Sequence, residues 1–487
     1  MTGNMYLLLP VFLPMIMGIS ALWIKGDRKK RAWVMTGAMF GFAAISAGTL
    51  FFDSASITLW KITQSVKISF TVDGVSKFYL VFISLVWAFV GLYATEYLEH
   101  DTNDGKFWRY YLISYGALMG LSMADNLITL YMFYECMTLV TMPLVAHNRD
   151  KESIAAAIKY LIYSVVGASL ALFGIFFVGA YAGSFDFALG GVFSKEMLAG
   201  REGLMKWVFF MMIVGFGVKA GMFPMHSWLP TAHPVAPAPA SAVLSGVITK
   251  MGVLGIIRTV YYVAGVEFLR GTWVQYAFMT LSLMTVVMGS TLAFREKVFK
   301  KRLAYSTVSQ VSYVLFGLST MTEAGFVGAL LHILFHSLIK NTLFMSAGAV
   351  VHKTGKTKVE ELFAIGKQMP YTMCLFTVVS LGLIGIPPTG GFISKWNLAS
   401  GALMLDGAFS WIGPAALLLS AVLTAAYLLS VSIRAFFVGK EGASIEKNDV
   451  TMRMTLPMLV LACLVVMLGV FPGGLIQYFT QIASLIM

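Results

Sequence analysis

Seven side chains in this sequence can carry or exchange a proton from positions flanked by apolar residues: Glu135, Lys219, Lys250, His332, His336, Lys340 and Lys395. Glu135 lies in DNLITLYMFYECMTLVTMPLV. Burial and a nearby ammonium act on such a carboxyl in opposite directions, so it exchanges a proton when its partner moves or changes charge. Lys219 is the partner expected for it. A lysine in hydrocarbon costs roughly 2.5–3.5 kcal/mol on insertion scales and needs a partner or water. Desolvation makes it a proton carrier, and Lys250 is similarly placed. In GALLHILFHSLIKNTLFMSAGAVVH, His332, His336 and Lys340 stand at i, i+4 and i+8, along one face of a helix. Histidine titrates near physiological pH, so this spacing suits a relay. Lys395, just past Pro387–Pro388 in GGFISKW, reads as an exit group. Plainer readings exist for each: a structural clamp for Glu135, snorkelling or interfacial lysines, packing histidines. A metal site from His332 and His336 has no nearby carboxylate or cysteine to complete it. Tyr160, Ser164, Tyr305, Ser306, Ser309 and Gln310 either organise water between carriers or bond across helices. Lys159 and Arg258, at the ends of apolar runs, read as interfacial anchors.

The elements that must hold these groups are membrane helices. The chain has 487 residues, 58% of them hydrophobic and only 12% charged. A soluble domain carries about a quarter charged residues. The pattern is that of an all-α polytopic membrane protein without a sizeable soluble domain. About fourteen spans of roughly 20 apolar residues each are centred near residues 15, 43, 87, 115, 137, 168, 213, 248, 282, 312, 340, 383, 422 and 466. The first apolar run, from about Tyr6 to Ile24, lacks a small-residue cleavage site and precedes the basic GDRKKR, so it reads as a retained helix. The net charge of +12 would suggest nucleic acid only if position were ignored. The loop after span 1 holds Lys25, Arg28, Lys29, Lys30 and Arg31, and that after span 9 holds Arg295, Lys297, Lys300, Lys301 and Arg302. The loop after span 11 holds Lys353, Lys356, Lys358 and Lys367, and that after span 13 Lys440 and Lys447. Even-numbered loops are poorer in positive charge. Odd loops are therefore expected in the cytoplasm of a prokaryotic inner (plasma) membrane, with both termini outside. Cys136, Cys374 and Cys463 sit in apolar runs without a CxxC or Cys/His cluster, so no cofactor, iron–sulfur, zinc or haem signature is present.

Ile57–Val72 alternates β-branched residues and predicts an external hairpin leading to Asp73 and Gly74. The Gly-rich stretch 182–203 is expected to be a second external segment, partly amphipathic. Between 213 and 258, Pro224, Pro230, Pro234, Pro237 and Pro239 interrupt two apolar segments that carry Lys219 and Lys250. Irregular backbone at membrane depth survives only where protein or a wet cavity surrounds it. GVKAGMFPMHSW (217–228) is similar to LGLIGIPPTGGF (381–392) in a Gly–x–Pro break late in an apolar helix. The two stretches lie five spans apart, hence in opposite orientations, which fits an inverted repeat of spans 4–8 against 9–13. The expected division is 1–105 (spans 1–3), 106–265 (first repeat), 266–438 (second repeat) and 439–487 (span 14).

Five motifs then carry a resemblance: FYECMTLVTMPLV (133–145), VKAGMFPMHSWLPTAHPVAPAPASAVLSGVITKMGVLGIIR (218–258), KKRLAYSTVSQVSYVLFG (300–317), HSLIKNTLFMSAGAVVH (336–352) and GIPPTGGFISKW (385–396). The chain resembles the antiporter-like membrane subunits shared by respiratory complex I (NADH:quinone oxidoreductase), Mrp-type cation/proton antiporters and group 4 membrane-bound hydrogenases. The resemblance implies fourteen helices, two inverted five-helix repeats, broken helices 7 and 12, and a proton path along a central polar axis. By motif, Glu135 matches the family's helix 5 glutamate and Lys219 its helix 7 lysine. Lys250 matches the helix 8 group, His336 and Lys340 the helix 11 pair, and Lys395 the helix 12 lysine; His332 is less typical. AHPVAPAPASAVLSG looks like the hydrogenase and formate-hydrogenlyase branch, and the Mrp branch is similar over the same stretch. The chain ends soon after span 14, without the lateral helix of the largest complex I subunit or the extra C-terminal region of the largest Mrp subunit.

The function expected is proton translocation within a multisubunit energy-converting complex, of the hydrogenase or Mrp type, with a MrpD-like or complex I subunit as the alternative. Partners expected are other membrane subunits, the lipid bilayer and a peripheral redox arm (hydrogenase, or NADH- or ferredoxin-linked), with no nucleic acid. Two rival classes are a stand-alone solute transporter, which needs a roomy midplane site, and a passive scaffold, which leaves the spaced buried lysines unexplained.

Overall fold

The computed structural model describes residues 3–20, 28–52, 55–437 and 446–487. Lys25, Lys440, the end of the first apolar run and the 438/439 boundary lie outside the described residues. Among those residues, ten helices are long and apolar enough to cross a membrane. Asn4–Ser20 and Pro370–Ile384 are shorter apolar helices, and Asp104–Ser122 and Phe299–Thr320 are long but more polar. These helices fall at the expected span centres. The chain is an all-α polytopic membrane protein with breaks in spans 7 and 12.

Helix ends follow local chemistry. Asp73, Asn126, Asp150 and Thr322 cap spans 3, 5, 6 and 11 by accepting from the backbone amide three residues on. Spans 6 (Lys151–Ala182) and 11 (Glu323–Thr354) both run 32 residues and both stop at a left-handed glycine, Gly183 and Gly355. The first halves of spans 7 (Glu202–Ala220) and 12 (Pro370–Ile384) also end on left-handed glycines, Gly221 and Gly385. Members of each pair stand five spans apart, as the inverted repeat requires.

Odd and even loops segregate. At one end, His147 meets Asp101 at 2.7 Å, Arg453 meets Glu99 at 2.9 Å, and the 296–299 loop pairs with 357–359. At the other, strands Ser56–Lys61 and Lys67–Thr71 form the expected antiparallel hairpin, with a bulge between Thr58 and Trp60. Asn126 and Asp186 pack on that hairpin through Ser69 and Lys67. The 182–203 stretch differs from expectation. Its only helix is the four-residue Lys195–Leu198, and Ala188 and Val192 instead bond the backbone of Tyr262 and Val263. With Gly183, Gly190, Gly191 and Gly200 all at positive φ, no amphipathic helix can propagate there.

Span 11 runs through the middle, buried along its whole apolar length. It packs on spans 3, 8, 10, 12 and 14. A helix buried all round offers every face to a protein neighbour, which is what lets it present three titratable groups to three different helices.

Candidate functional site

The site begins at the break in span 7. Gly221 has φ +81° and a Cβ there would meet Leu229 Cδ1 at 2.4 Å, so only glycine turns the chain back toward Trp228. The Trp228 indole donates to the carbonyl of Val218 at 2.9 Å, which also accepts from the Gly221 amide at 3.1 Å. Lys219, in the last turn before the break, is fully buried. Its ammonium donates to Thr138 Oγ1 (2.8 Å), Tyr160 OH (3.0 Å) and Ser164 Oγ (2.8 Å). Three donors meet three neutral acceptors, with the Tyr160 ring 4.5 Å away. Spans 6 and 7 come close enough for this because a Cβ on Gly167 would stand 2.6 Å from the Gly215 carbonyl. Small residues are what allow such backbone approach in membranes.

Glu135 departs from expectation. It is half-buried, one turn before Thr138 on the same helix, and makes no hydrogen bond or ion pair with any described residue. Lys219 acts on it through space only. The hydroxyl cage has taken the contacts a carboxylate would have made.

Lys250 lies in span 8 (Ala238–Ala264), between π-helical turns at Leu244–Ile248 and Arg258–Ala264. Such turns release backbone groups from regular pairing and are frequent at functional sites. The Lys250 ammonium donates to the Ser245 carbonyl at 2.5 Å and stands 2.7 Å from His336 Nδ1. Gly246 makes this possible: a Cβ there would strike the Asn341 amide of span 11 at 1.9 Å. His336 lies 6.0 Å from His332, ring to ring, in a stacked arrangement. His332 Nδ1 bonds Ser394 Oγ at 2.9 Å, and its other face covers Tyr313 at 5.4 Å. Lys340 donates to the Leu303 carbonyl (3.0 Å) and Ser306 Oγ (2.6 Å), and Ser306 continues to Tyr427 OH at 2.7 Å. The i, i+4, i+8 groups thus reach three helices: span 12 from His332, span 8 from His336, span 10 from Lys340.

Lys395, partly buried, folds back onto the carbonyls of Leu383 (2.6 Å) and Ile384 (2.9 Å) and lies 5.0 Å from the Tyr313 ring centroid. A cation at the frayed C-terminal end of a half-helix is favourably placed. It occupies at the span 12 break the place that Trp228 fills at the span 7 break.

Several expected helpers have other partners. Tyr160, Ser164 and Ser306 touch lysines. Ser309 instead bonds Ser290 and Ser420 across spans 9, 10 and 13, and Gln310 reaches Thr424 at 3.5 Å. Arg258 is no interfacial anchor. It is 2% exposed and holds Asp73 through two bonds of 2.5 and 3.0 Å, with Ser76 at 3.1 Å. Lys159 bonds Thr231 at 3.1 Å, fastening span 6 to the second half of span 7.

One residue emerges only in three dimensions. His233, on Trp228–Val235, is fully buried and stacked on Phe344 at 4.6 Å. Neither ring nitrogen has a partner, and the charges of Lys340, Lys300 and Lys250 all act on it. Its Pro-rich setting, AHPVAPAP, carried no periodicity to mark it. His332 Nε2, His336 Nε2, Ser337 Oγ, Asn341 Oδ1 and Gln310 Oε1 are likewise buried without a protein partner. An unsatisfied buried polar atom costs about 1–3 kcal/mol, and buried water is what normally satisfies such groups. These atoms cluster around span 11, while the Lys219 cage has none.

Residues 124–424 match the family described as NADH:quinone oxidoreductase/Mrp antiporter, TM, and residues 60–111 match NADH-Ubiquinone oxidoreductase (complex I), chain 5 N-terminus. NADH-quinone oxidoreductase subunit N of Desulforudis audaxviator is 34% identical over 414 residues, covering 81% of each chain. Hydrogenase-4 component B of Escherichia coli is 31% identical over 446 residues, 86% of this chain and 65% of that one. A chain of the Mrp complex from Dietzia sp. superposes with a TM-score of 0.87 at 20% identity, over 100% of this chain and 98% of the other.

Proposed function

The chain belongs to the NADH:quinone oxidoreductase/Mrp antiporter membrane family, and from that premise we propose that it moves protons across a prokaryotic membrane as one subunit of a larger complex. The observation that carries this reading is the 2.7 Å contact between Lys250 Nζ and His336 Nδ1. Two unit charges even 4 Å apart repel by about 4 kcal/mol at an effective dielectric of about 20. Lys250 and His336 therefore share one proton between them: either the ammonium donates to a neutral imidazole, or the imidazolium donates to a neutral amine. A group at either side that changes charge moves that proton.

In this scheme Lys219 is the loading group, held as an ammonium by its hydroxyl cage. Glu135 is the movable counter-charge one turn away, which pairs with Lys219 in one state and leaves it in another. Lys250, His336 and His332 pass the proton toward Lys395, with Lys340 as a charge that biases the pair. The blocks 106–265 and 266–438 act as two half-channels joined at this contact. The end where the odd loops meet faces the cytoplasm.

The test is coupled proton uptake in vesicles carrying the assembled complex. His336→Phe keeps a ring of similar shape and removes the shared proton; coupled uptake should vanish while assembly survives. Glu135→Gln should lose coupling in the same way. Uptake at wild-type rates in both would refute the scheme. Which complex hosts the chain is a finer matter. The relatives carry the names of a quinone oxidoreductase and a hydrogenase, and the structural neighbour that of an Mrp assembly. We favour the hydrogenase type, with a peripheral redox arm, on the AHPVAPAPASAVLSG wording. Co-purification decides: a nickel–iron subunit supports it, and small Mrp-like subunits without redox centres overturn it.

A further inference from the structure

At the end of the bundle where the odd loops meet, a pocket of about 210 Å³ is lined by Phe294, Lys297, Arg302, Glu360, Ser430 and Arg434, among others. Arg302 is 8% exposed. Its Nε donates to the Glu296 carbonyl (2.9 Å), and its Nη1 to the Tyr427 carbonyl (3.0 Å) and Ser430 Oγ (3.1 Å). All three acceptors are neutral, so these bonds fix the guanidinium without balancing its charge. Arg434 is near enough for its charge to act on Arg302, and its own described contact is the Phe363 ring at 5.4 Å. Of the carboxylates nearby, Glu296 pairs with Lys301 at 2.9 Å and acts on Arg302 through space only, and Glu360 pairs with Lys297 at 3.2 Å. Neither Arg302 nor Arg434 has an ion pair among the described residues. Two like charges held together in a half-buried pocket repel, and an anion between them replaces that repulsion with two attractions.

We propose that this pocket binds a phosphate group, clasped between Arg302 and Arg434 beside Ser430, whose hydroxyl accepts from Arg302 and donates to the Tyr427 carbonyl at 3.1 Å. Arg434 has a whole guanidinium fork to match to two phosphate oxygens, and Arg302, with Nε and Nη1 engaged, offers Nη2. Basic pockets between membrane helices on the cytoplasmic side are suited to anionic lipid headgroups, and Phe294, 50% exposed at the rim, offers an apolar wall to an acyl chain. Free phosphate satisfies the same donors without using that wall. The pocket is also bonded to the interior: Arg302 holds the Tyr427 carbonyl, whose hydroxyl reaches Ser306 and through it Lys340.

The experiment uses the full chain with its co-purifying subunits in detergent, and native mass spectrometry with phosphatidylglycerol, phosphatidylcholine and inorganic phosphate as probes. Wild type should retain phosphatidylglycerol in preference to phosphatidylcholine, and Arg434→Gln should weaken that retention about fivefold, the effect of one cation at a membrane surface. Arg434→Lys should retain most of it. Ser430→Asp, which places a carboxylate beside the Arg302 guanidinium, should displace the ligand and serves if Arg434→Gln fails to assemble. Competition by inorganic phosphate at millimolar levels, with no preference between the lipids, would assign the site to free phosphate. Equal binding of every probe by wild type and Ser430→Asp would overturn the proposal.

Discussion

Spans 6 and 11 have the same length, the same left-handed glycine stop and the same relation to a broken neighbour, yet they do different work. Span 6 turns one side outward: Ile154, Ile158, Ile162, Val165 and Phe176 are exposed along it. Its inner side offers hydroxyls, Tyr160 and Ser164, to Lys219. Span 11 has no outward side, and its inner groups are His332, His336 and Lys340. In the first repeat a lysine is solvated by three neutral hydroxyls. In the second, a lysine borrowed from span 8 meets an imidazole. On the proposed scheme the first arrangement, which matches every donor, holds a proton, and the second, which leaves ring nitrogens unpartnered, passes one. One architecture used twice, with different side chains at its centre, would then serve as a reservoir and a switch.

The sharpest way to break this comparison is at the switch. Lys250→Met should lower coupled proton uptake by about a hundredfold, the lower end of what a positioned proton carrier contributes; vesicle pumping measures it, and a rate within a factor of about two of wild type would deny the switch its role. Next is the pair outside the path. Arg258→Met leaves Asp73 without its cation at the capped start of span 3. Breaking a buried pair costs about 3–5 kcal/mol, and a carboxylate still 30% exposed places this one at the low end. Thermal unfolding should show the loss while the pumping rate per folded complex stays unchanged. The smallest effect is at the reservoir. Tyr160→Phe removes one of three neutral acceptors from Lys219 and should cost about 1 kcal/mol, or about fivefold in proton loading. Equal losses from Tyr160→Phe and Lys250→Met would erase the distinction between holding and passing.

Much of this was legible in residue order. Apolar run lengths marked the spans, and glycine and proline marked both breaks, because a backbone that cannot bond to water in lipid must announce where it leaves the helix. The buried ionisable groups were legible too, since an ionisable group in an apolar run has few structural reasons to be there. Their partners were not. Lys219 was expected to meet Glu135 and meets Thr138, Tyr160 and Ser164 instead. Hydroxyls are common in membrane helices, and nothing in their spacing tells which ones face a lysine two helices away. His233 was hidden for a related reason: its short helix has no apolar period against which a polar residue stands out.

Composition and pattern by themselves determined that the chain is a bundle of membrane helices with two interrupted members and a set of titratable groups at depth. Both follow from local rules, one residue's cost in lipid and one helix's need to close its own hydrogen bonds. The tertiary structure alone decided which groups touch. Contact between Lys250 and His336 depends on Gly246 letting spans 8 and 11 approach, and the Lys219 cage on Gly167 and Gly215 doing the same for spans 6 and 7. Helix register and crossing are set by packing across the whole bundle, and no single stretch of sequence contains them.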